Sequence, residues 1–176
     1  MKPLLDTRKL QVVIERLSHQ LIENHGDFSE TALIGIQPRG IYLANRVVAY
    51  LNQLLNKEID YGKLDITFYR DDFSTGLHIP NQTEIDFSIE DKKVVLIDDV
   101  LFTGRTIRSA MDAILDFGRP SKVELMILID RRYRRELPIQ ADYIGLTVDS
   151  MNTQKVKVYW QEKDDRDEVI MLNPEK

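Results

Sequence analysis

Apolar residues recur with the period of a helix in two stretches near the start of the chain. In residues 41–55, "IYLANRVVAYLNQLL", they return every three or four positions. Residues 7–25 show the same spacing, with apolar side chains at Leu10, Val13, Ile14, Leu17, Leu21 and Ile22. This period predicts two helices, each with one face packed against a core.

Short apolar runs between these stretches predict strands. The run 94–97, "VVLI", is apolar on both faces, as is typical of a buried parallel strand. In the run 64–70, "LDITFYR", the apolar residues Leu64, Ile66 and Phe68 alternate with polar ones, which indicates a half-buried strand. The other predicted strands are 31–36, 123–130, 141–148, 155–160 and 169–172.

The order of the elements indicates the fold class. A third helix is predicted over 106–117, closed by Gly118 with Pro120 beyond it. Strands and helices therefore alternate through the middle of the chain. This order predicts an α/β fold with a doubly wound, mainly parallel sheet and right-handed crossovers.

Residues 71–87 lack any sustained period and contain Gly76, Pro80 and Asn81. A loop of this length in a compact domain is usually a functional lid or disordered. We see no linker, repeat or low-complexity tract elsewhere. With 176 residues and a mass of 20.5 kDa, the chain is expected to form a single domain over 1–176.

Composition excludes several classes of site and location. The chain has no cysteine, which rules out disulfides, thiolate zinc sites and cysteine nucleophiles. It has neither an apolar signal core nor a stretch long enough to span a bilayer, so we expect a cytoplasmic protein without a membrane partner. The net charge of −5 argues against strong non-specific attraction to nucleic acid. Any anion must be held by a local cluster.

The candidate chemistry lies in residues 94–106, "VVLIDDVLFTGRT". Asp98 and Asp99 follow a buried strand, and ligands of open parallel sheets bind at that edge. Residues 103–106 lie where the next helix begins, and a helix start offers unpaired N–H groups to a phosphate. Ionised carboxylates accept hydrogen bonds from neighbouring hydroxyls. A diol and a phosphate this close together describe a ribose 5-phosphate, although an Asp and a Thr that only cap the turn are the alternative.

The same thirteen residues resemble the phosphoribosyl pyrophosphate motif of type I phosphoribosyltransferases. The resemblance to one family of that fold, the PyrR family, covers nearly the whole chain. It implies a flexible lid over about 71–87 and a small C-terminal hood over about 131–176. The segments that carry it are "GIQPRGIYLA", "LDITFYRDD", "TIRSAMDAILDFGRPSKVEL", "LIDRRYRRELPIQADYIG" and "KVKVYWQEKDDRD".

The resemblance implies a uracil phosphoribosyltransferase that also regulates pyrimidine biosynthesis by binding pyr operon mRNA. The reaction would convert uracil and phosphoribosyl pyrophosphate to UMP and pyrophosphate. Mg²⁺ would be held through the donor, with no direct protein ligand, and the chain would form a homodimer or homotetramer. Two alternatives stay open: an RNA-binding attenuator whose nucleotide site only senses UMP, and a purine-type phosphoribosyltransferase.

The resemblance also implies roles for individual residues. Asp98, Asp99 and Arg39 would be catalytic, with the two aspartates on the ribose hydroxyls and Arg39 facing the pyrophosphate. Arg39 as a surface arginine at a turn, and Arg70 paired with a neighbouring aspartate, are the alternatives. The implied substrate-binding residues are Pro38, Arg39, Gly40, Arg70, Asp98, Asp99, Val100, Leu101, Phe102, Thr103, Gly104, Arg105, Thr106 and Val156.

Candidate RNA contacts lie on the polar face of the first helix and in an arginine-rich run. They are Arg16, His19, Arg132, Arg134 and Arg135. An ordinary solvated face and an exposed basic turn are the alternatives. The chain departs from the PyrR pattern here: Gln37 and Leu146 replace lysines, Pro38 replaces a threonine, and "DRRYRRELP" has an added residue and no histidine. Fewer lysines mean fewer phosphate contacts and weaker salt-dependent RNA affinity.

Overall fold

The computed structural model describes residues 2–70, 80–151 and 153–173. Most of the predicted lid, residues 71–79, lies outside the described residues. In chain order the elements are β1 (Lys2–Leu5), α1 (Thr7–His25), β2 (Thr31–Ile36), α2 (Gly40–Leu55), β3 (Tyr61–Leu64), β4 (Lys93–Leu101), α3 (Arg105–Ile114), β5 (Lys122–Arg132), β6 (Tyr143–Asp149), β7 (Lys155–Tyr159), α4 (Gln161–Asp164) and β8 (Glu168–Leu172).

A five-stranded sheet forms the centre of the molecule. Its strand order is β3-β2-β4-β5-β6, and every neighbouring pair is parallel. The chain runs from β2 through α2 to β3 at one edge, and then returns to β4 on the other side of β2. The order of strands therefore reverses between β2 and β4. This confirms the predicted doubly wound parallel sheet and puts its topological switch point at the ends of these two strands.

Two apolar cores cover the two faces of the sheet. On β4, Val95 and Ile97 point to one core, which α1 and α2 complete, while Val94 and Leu96 point to a second core beneath α3. Both faces of β4 are therefore buried, as the sequence predicted. Burying each large aliphatic side chain contributes roughly 1.5–3 kcal/mol. The carboxyl end of β4 is thus held rigidly from both sides.

Local signals set the ends of the helices. Asp6 precedes α1, and its carboxylate accepts a hydrogen bond of 2.8 Å from the backbone N–H of Lys9. The helix covers the predicted range, and Gly26 follows it with a φ of 58°. α3 ends at Ile114, and one further 3₁₀ turn leads to Gly118, where the predicted helix was expected to close.

A second, three-stranded antiparallel sheet has the order β1-β8-β7. Leu5, Val158 and Val169 from its strands join the same core as α1 and α2. The C-terminal strands were predicted, but β1 was not. It is a four-residue edge strand containing Pro3, and only its distant pairing with β8 identifies it.

The predicted strand over 64–70 is wrong. β3 ends at Leu64, and residues Thr67–Tyr69 form a 3₁₀ turn. The backbone N–H of Asp65 donates to the Thr83 hydroxyl at 3.0 Å, so it is not available to a neighbouring strand. Ile66 is 2% exposed whereas Phe68 is 78% exposed, which contradicts the alternation read from the sequence.

Candidate active site

The acidic pair Asp98 and Asp99 lies near the end of β4, beside the switch point. Both residues are buried, with exposures of 7% and 6%. The backbone N–H of Asp99 donates to Asp98 Oδ1 at 2.8 Å, which fixes the Asp98 carboxyl. Two buried carboxyls are thus held side by side at the edge of the sheet where ligands of such folds bind.

Burial makes both carboxyls weaker acids than an ordinary aspartate. It raises the pKa of the Asp98 carboxyl well above its ordinary value, and the neighbouring Asp99 adds to the rise. Burial also raises the pKa of Asp99, against the opposing effect of the Arg39 guanidinium. Groups that donate hydrogen bonds to the ionised pair, such as ribose hydroxyls, would be favoured because they offset the cost of burying negative charge.

Arg39 connects the acidic pair to the small sheet. Its Nε donates to Asp99 Oδ2 at 3.0 Å, its Nη2 donates to the carbonyl of Val158 in β7, and the same Nη2 lies 3.9 Å from Asp164 Oδ2. These three partners contradict the alternative in which Arg39 is only a surface arginine at a turn. Pro38 beside it is exposed and follows a cis peptide bond from Gln37.

Gly40 allows α2 to begin directly against β4. A methyl group at this position would lie 2.4 Å from the Ile97 carbonyl oxygen and 3.1 Å from Asp98 Oδ1. Only glycine permits this approach, because a Cβ atom in a folded protein does not come as close as 2.4 Å to another heavy atom. The start of α2, Arg39 and the acidic pair are thereby held together.

A cleft of about 310 Å³ lies at the start of α3. Gly104 has a φ of 93°, a conformation that favours glycine, and it turns the chain from β4 into the helix. Backbone N–H groups at such a helix start stabilise an anion. The cleft is lined by Arg70, Val100, Leu101, Phe102, Thr103, Gly104, Arg105, Thr106 and Ile107.

The end of β5 and the segment after it support this loop. Arg135 donates to the Phe102 carbonyl at 2.7 Å and pairs with Asp130 Oδ1 at 2.5 Å. The Arg131 guanidinium lies 3.9 Å from the centre of the Phe102 ring. Phe102, which lines the cleft, is therefore held both by its ring and by its backbone.

A second cleft of about 370 Å³ adjoins the first, and Val100 lines both. Its other lining residues are Arg39, Asp99, Val156, Lys157 and Val158. Asp99 thus lines a cavity that includes the aliphatic Val156 and Val158 of β7, and Val100 directly after it also lines the cleft suited to phosphate.

Comparison with known proteins agrees with this geometry. The profile of the phosphoribosyl transferase domain matches residues 1–163. The Bifunctional protein PyrR of Desulfosudis oleivorans is 44% identical over 174 residues, which cover 98% of this chain and 96% of the relative. That of Bacillus cereus (strain AH820) is 42% identical over 175 residues, or 96% of each chain. The chain belongs to the PyrR family of phosphoribosyltransferases.

Solved structures show the fold of this PyrR-family chain. A hypoxanthine phosphoribosyltransferase from Staphylococcus aureus aligns with a TM-score of 0.72 at 22% identity, covering 98% of this chain and 93% of that one. The Trypanosoma cruzi enzyme aligns with a TM-score of 0.74 at 17% identity, covering 99% and 98%. The fold is the type I phosphoribosyltransferase fold, as the sequence predicted.

None of the candidate RNA contacts of the PyrR-family chain lines either cleft, although Arg135 supports the loop of the first one. Arg16 donates to the Gly145 carbonyl at 2.5 Å, and His19 Nε2 lies 3.1 Å from the Tyr50 hydroxyl. Arg132 pairs with Asp149 at 2.9 Å. Arg134 follows it in the same segment. Arg16, His19 and Arg132 each contact a different part of the chain.

The histidines of the described residues do not form a metal site. His25 is enclosed, with Nε2 2.8 Å from Glu124 and Nδ1 3.0 Å from the Thr31 hydroxyl. Burial lowers the pKa of His25 despite the adjacent Glu124. Within the described ranges, no group of three or more His, Asp or Glu side chains suits a metal ion, and no helix is long and apolar enough to cross a membrane.

Several residues around the clefts were not among the site residues predicted from the sequence. Lys157 and Val158 line the second cleft, and the latter accepts from Arg39. Arg131 packs on Phe102 through its guanidinium rather than facing solvent. Trp160 is fully buried directly after β7. The position of Trp160 as the only tryptophan, at the end of a predicted strand, was the available signal.

Proposed function

We propose that this protein is a uracil phosphoribosyltransferase that makes UMP and pyrophosphate from uracil and phosphoribosyl pyrophosphate. The observation that carries the proposal is the pair of adjoining clefts that meet at Val100 beside Asp98 and Asp99. The loop at the start of α3 suits a 5-phosphate, the acidic pair suits a ribose diol, and the cleft beside β7 suits a base. Kinship with proteins named Bifunctional protein PyrR supports uracil as that base.

The residues would act mainly by positioning and by neutralising charge. The bond from the ribose C1 to the pyrophosphate oxygen breaks, its electron pair leaves with pyrophosphate, and N1 of uracil bonds to C1 and loses its proton. Asp98 and Asp99 would hold the ribose hydroxyls, and residues 101–106 the 5-phosphate. Arg39, at the mouth of the second cleft, would stabilise negative charge on the departing pyrophosphate.

Mg²⁺ would enter with the donor. Phosphate oxygens and water are the ligands that Mg²⁺ prefers alongside one or two carboxylates, and no cluster of protein ligands among the described residues competes with that arrangement. When bound, the ion would neutralise charge on the pyrophosphate. We assign no direct protein ligand to it.

The remaining sequence predictions complete the proposal. We propose one domain over 1–176, a lid over 71–87 that begins directly after Arg70, and a hood over 131–176. Closure of such a lid would exclude water and favour transfer over hydrolysis. The packing of β7, β8 and β1 on the same core as α1 and α2 supports a single unit. Assembly as a homodimer or homotetramer and a cytoplasmic location belong to the same proposal.

A steady-state assay tests the proposed activity. With Mg²⁺ and phosphoribosyl pyrophosphate, we expect pyrophosphate release and UMP formation with uracil, and much lower rates with hypoxanthine or guanine in the same mixture. Preference for a purine would replace the proposed base. A folded protein that binds the donor but forms no nucleotide would contradict the enzymatic proposal.

RNA-dependent regulation of pyrimidine genes is the second proposed role, supported by the bifunctional relatives and by the exposed side chains of Arg16, His19 and Arg132 and the half-buried Arg134. Filter binding of the chain's own operon leader at physiological salt tests it, with a scrambled leader as the control. Tight, specific binding with negligible UMP formation would favour an attenuator that only senses UMP. Equal binding of both RNAs would contradict the regulatory role.

A further inference from the structure

Arg131 is a buried cation near the end of β5, with an exposure of only 6%. Its Nε donates to the Ser150 hydroxyl at 2.9 Å, and its Nη2 donates to the Gln154 carbonyl at 2.8 Å. Its guanidinium also lies 3.9 Å from the centre of the Phe102 ring. In the part of the chain that the structure describes, no carboxylate pairs with Arg131. Since charged side chains are seldom buried without such a partner, this residue requires an explanation.

The burial of Arg131 is unfavourable for its charge. Burial lowers the pKa of the guanidinium, and the positive charge of Arg134 lowers it further. The Phe102 ring offsets part of that cost, because the face of an aromatic ring attracts a cation. An apolar side chain of similar volume would pack here without a buried charge. Packing alone therefore does not account for a guanidinium at this position.

The three contacts of Arg131 lead towards the two clefts of the proposed site. Phe102 lines the first cleft. Ser150 directly follows β6 and Gln154 directly precedes β7, whose Val156 lines the second cleft. Arg131 thus joins the loop at the start of α3 to the connection that leads into the cleft proposed for the base.

The far side of this bridge is anchored as well. The Gln154 side chain accepts a hydrogen bond of 2.8 Å from the Met151 backbone N–H. It also donates one of 2.9 Å to Oδ1 of Asn173, directly after β8. β7 pairs with β8 along its whole length. Gln154 is therefore fixed to the small sheet, and a shift of its carbonyl would move the start of β7.

We infer that Arg131 is a positioning residue that sets the separation between the two clefts, so that the 5-phosphate and the base of one nucleotide are bound at the same time. The inference rests on the proposed function. A ligand that spans two subsites gains affinity only if their spacing matches its own length. The planar guanidinium suits this task because it donates hydrogen bonds in two directions while it stacks on a ring.

The variant Arg131→Met tests the inference, because it keeps a long apolar side chain and removes the charge and both donors. Equilibrium titrations compare UMP, which would span both clefts, with ribose 5-phosphate, which would reach only the first. We expect the variant to weaken the binding of UMP about tenfold more than that of ribose 5-phosphate. Both ligands carry the same phosphate, so loss of the charge alone would weaken both by the same factor. Arg119→Met is the matched control: it removes an exposed arginine before the other end of β5 and should leave both affinities unchanged.

The ratio of the two dissociation constants decides the outcome. If Arg131→Met keeps the wild-type ratio, the inference is overturned, since Arg131 would then support only the loop at the start of α3. Arg131→Lys retains the buried charge and decides the question if Arg131→Met does not fold. An ammonium cannot make both hydrogen bonds while it stacks on Phe102, so we expect the ratio to change about threefold, and an unchanged ratio would again overturn the inference.

These titrations do not depend on turnover. A wild type that binds UMP but does not form it from uracil and phosphoribosyl pyrophosphate would refute the proposed transfer reaction, while the comparison of UMP with ribose 5-phosphate would still test Arg131. A wild type that binds UMP no more tightly than ribose 5-phosphate would overturn the inference, because no ligand would then span the two clefts.

Discussion

Replacing Asp98 and Asp99 together by asparagine is expected to lower kcat/KM for UMP formation about a hundred- to ten-thousand-fold without unfolding the protein. In the proposed site, each carboxylate accepts a charge-assisted hydrogen bond from a ribose hydroxyl, worth roughly 1.5–3 kcal/mol. Every 1.4 kcal/mol corresponds to about a tenfold change in rate. Pyrophosphate release at subsaturating donor measures the loss directly.

The matched control is Asp112→Asn. Asp112 is an exposed aspartate on α3 that pairs only with its helical neighbour Arg108 at 3.3 Å in the contacts we describe. Its substitution should leave kcat/KM unchanged. If the double variant kept more than a tenth of the wild-type value, the acidic pair would not bind the ribose.

The same pair should lower the stability of the fold at neutral pH. Because burial raises the pKa of Asp98 in the folded state, the native protein holds this proton more tightly than the unfolded chain does. Its contribution to stability is full below the ordinary pKa of an aspartate and is lost as pH rises through the raised value. Asp98→Asn removes that loss. At pH 7 the Tm of the variant should therefore be about 2–4 °C higher than that of the wild type, which is the shift expected for roughly 1 kcal/mol of stability.

Unfolding measured over a series of pH values tests this prediction. The difference in the free energy of unfolding between Asp98→Asn and the wild type should grow as pH rises from about 4 towards 8. A difference that is constant, or that shrinks with rising pH, would show that Asp98 is ionised at little cost. Loss of activity with a gain in stability is the pattern of a site that holds like charges close together for function.

The sequence predicted the parts of the fold that depend on neighbouring residues. The apolar period gave α1 its full range, and the run "VVLI" identified the central strand. The two carboxylates and the helix start after them lie within nine residues of one another, between Asp98 and Thr106, so one short motif was enough to place both.

Features that depend on distant pairing could not be read in this way. β1 gains strand structure only from β8, and the run 64–70 loses it because Thr83 binds the backbone of Asp65. The contact of Arg39 with Val158 joins positions 119 residues apart. No local spacing encodes these approaches.

Gly40→Ala is expected to have the second large effect, because it acts on the contact that joins α2 to β4. A methyl group would lie 2.4 Å from the Ile97 carbonyl oxygen and 2.9 Å from the Asp98 Cα, and both are backbone atoms of a buried strand that cannot move aside. Overpacking of this kind costs about 1–3 kcal/mol or more. Relief requires α2 to shift outward, and Arg39 directly before it would shift as well.

A displacement of about 1 Å in a positioned group costs roughly a hundredfold in rate. We therefore expect Gly40→Ala to lower both Tm and kcat/KM, with the larger relative loss in kcat/KM. Gly26→Ala is the control: apart from its own chain neighbours, nothing lies within 4 Å of the added methyl, and only its φ of 58° is unfavourable. It should cost about 1–2 kcal/mol of stability and no activity. If both alanine variants lost stability alone, the approach of α2 to Asp98 would serve packing and not the placement of Arg39 beside the acidic pair.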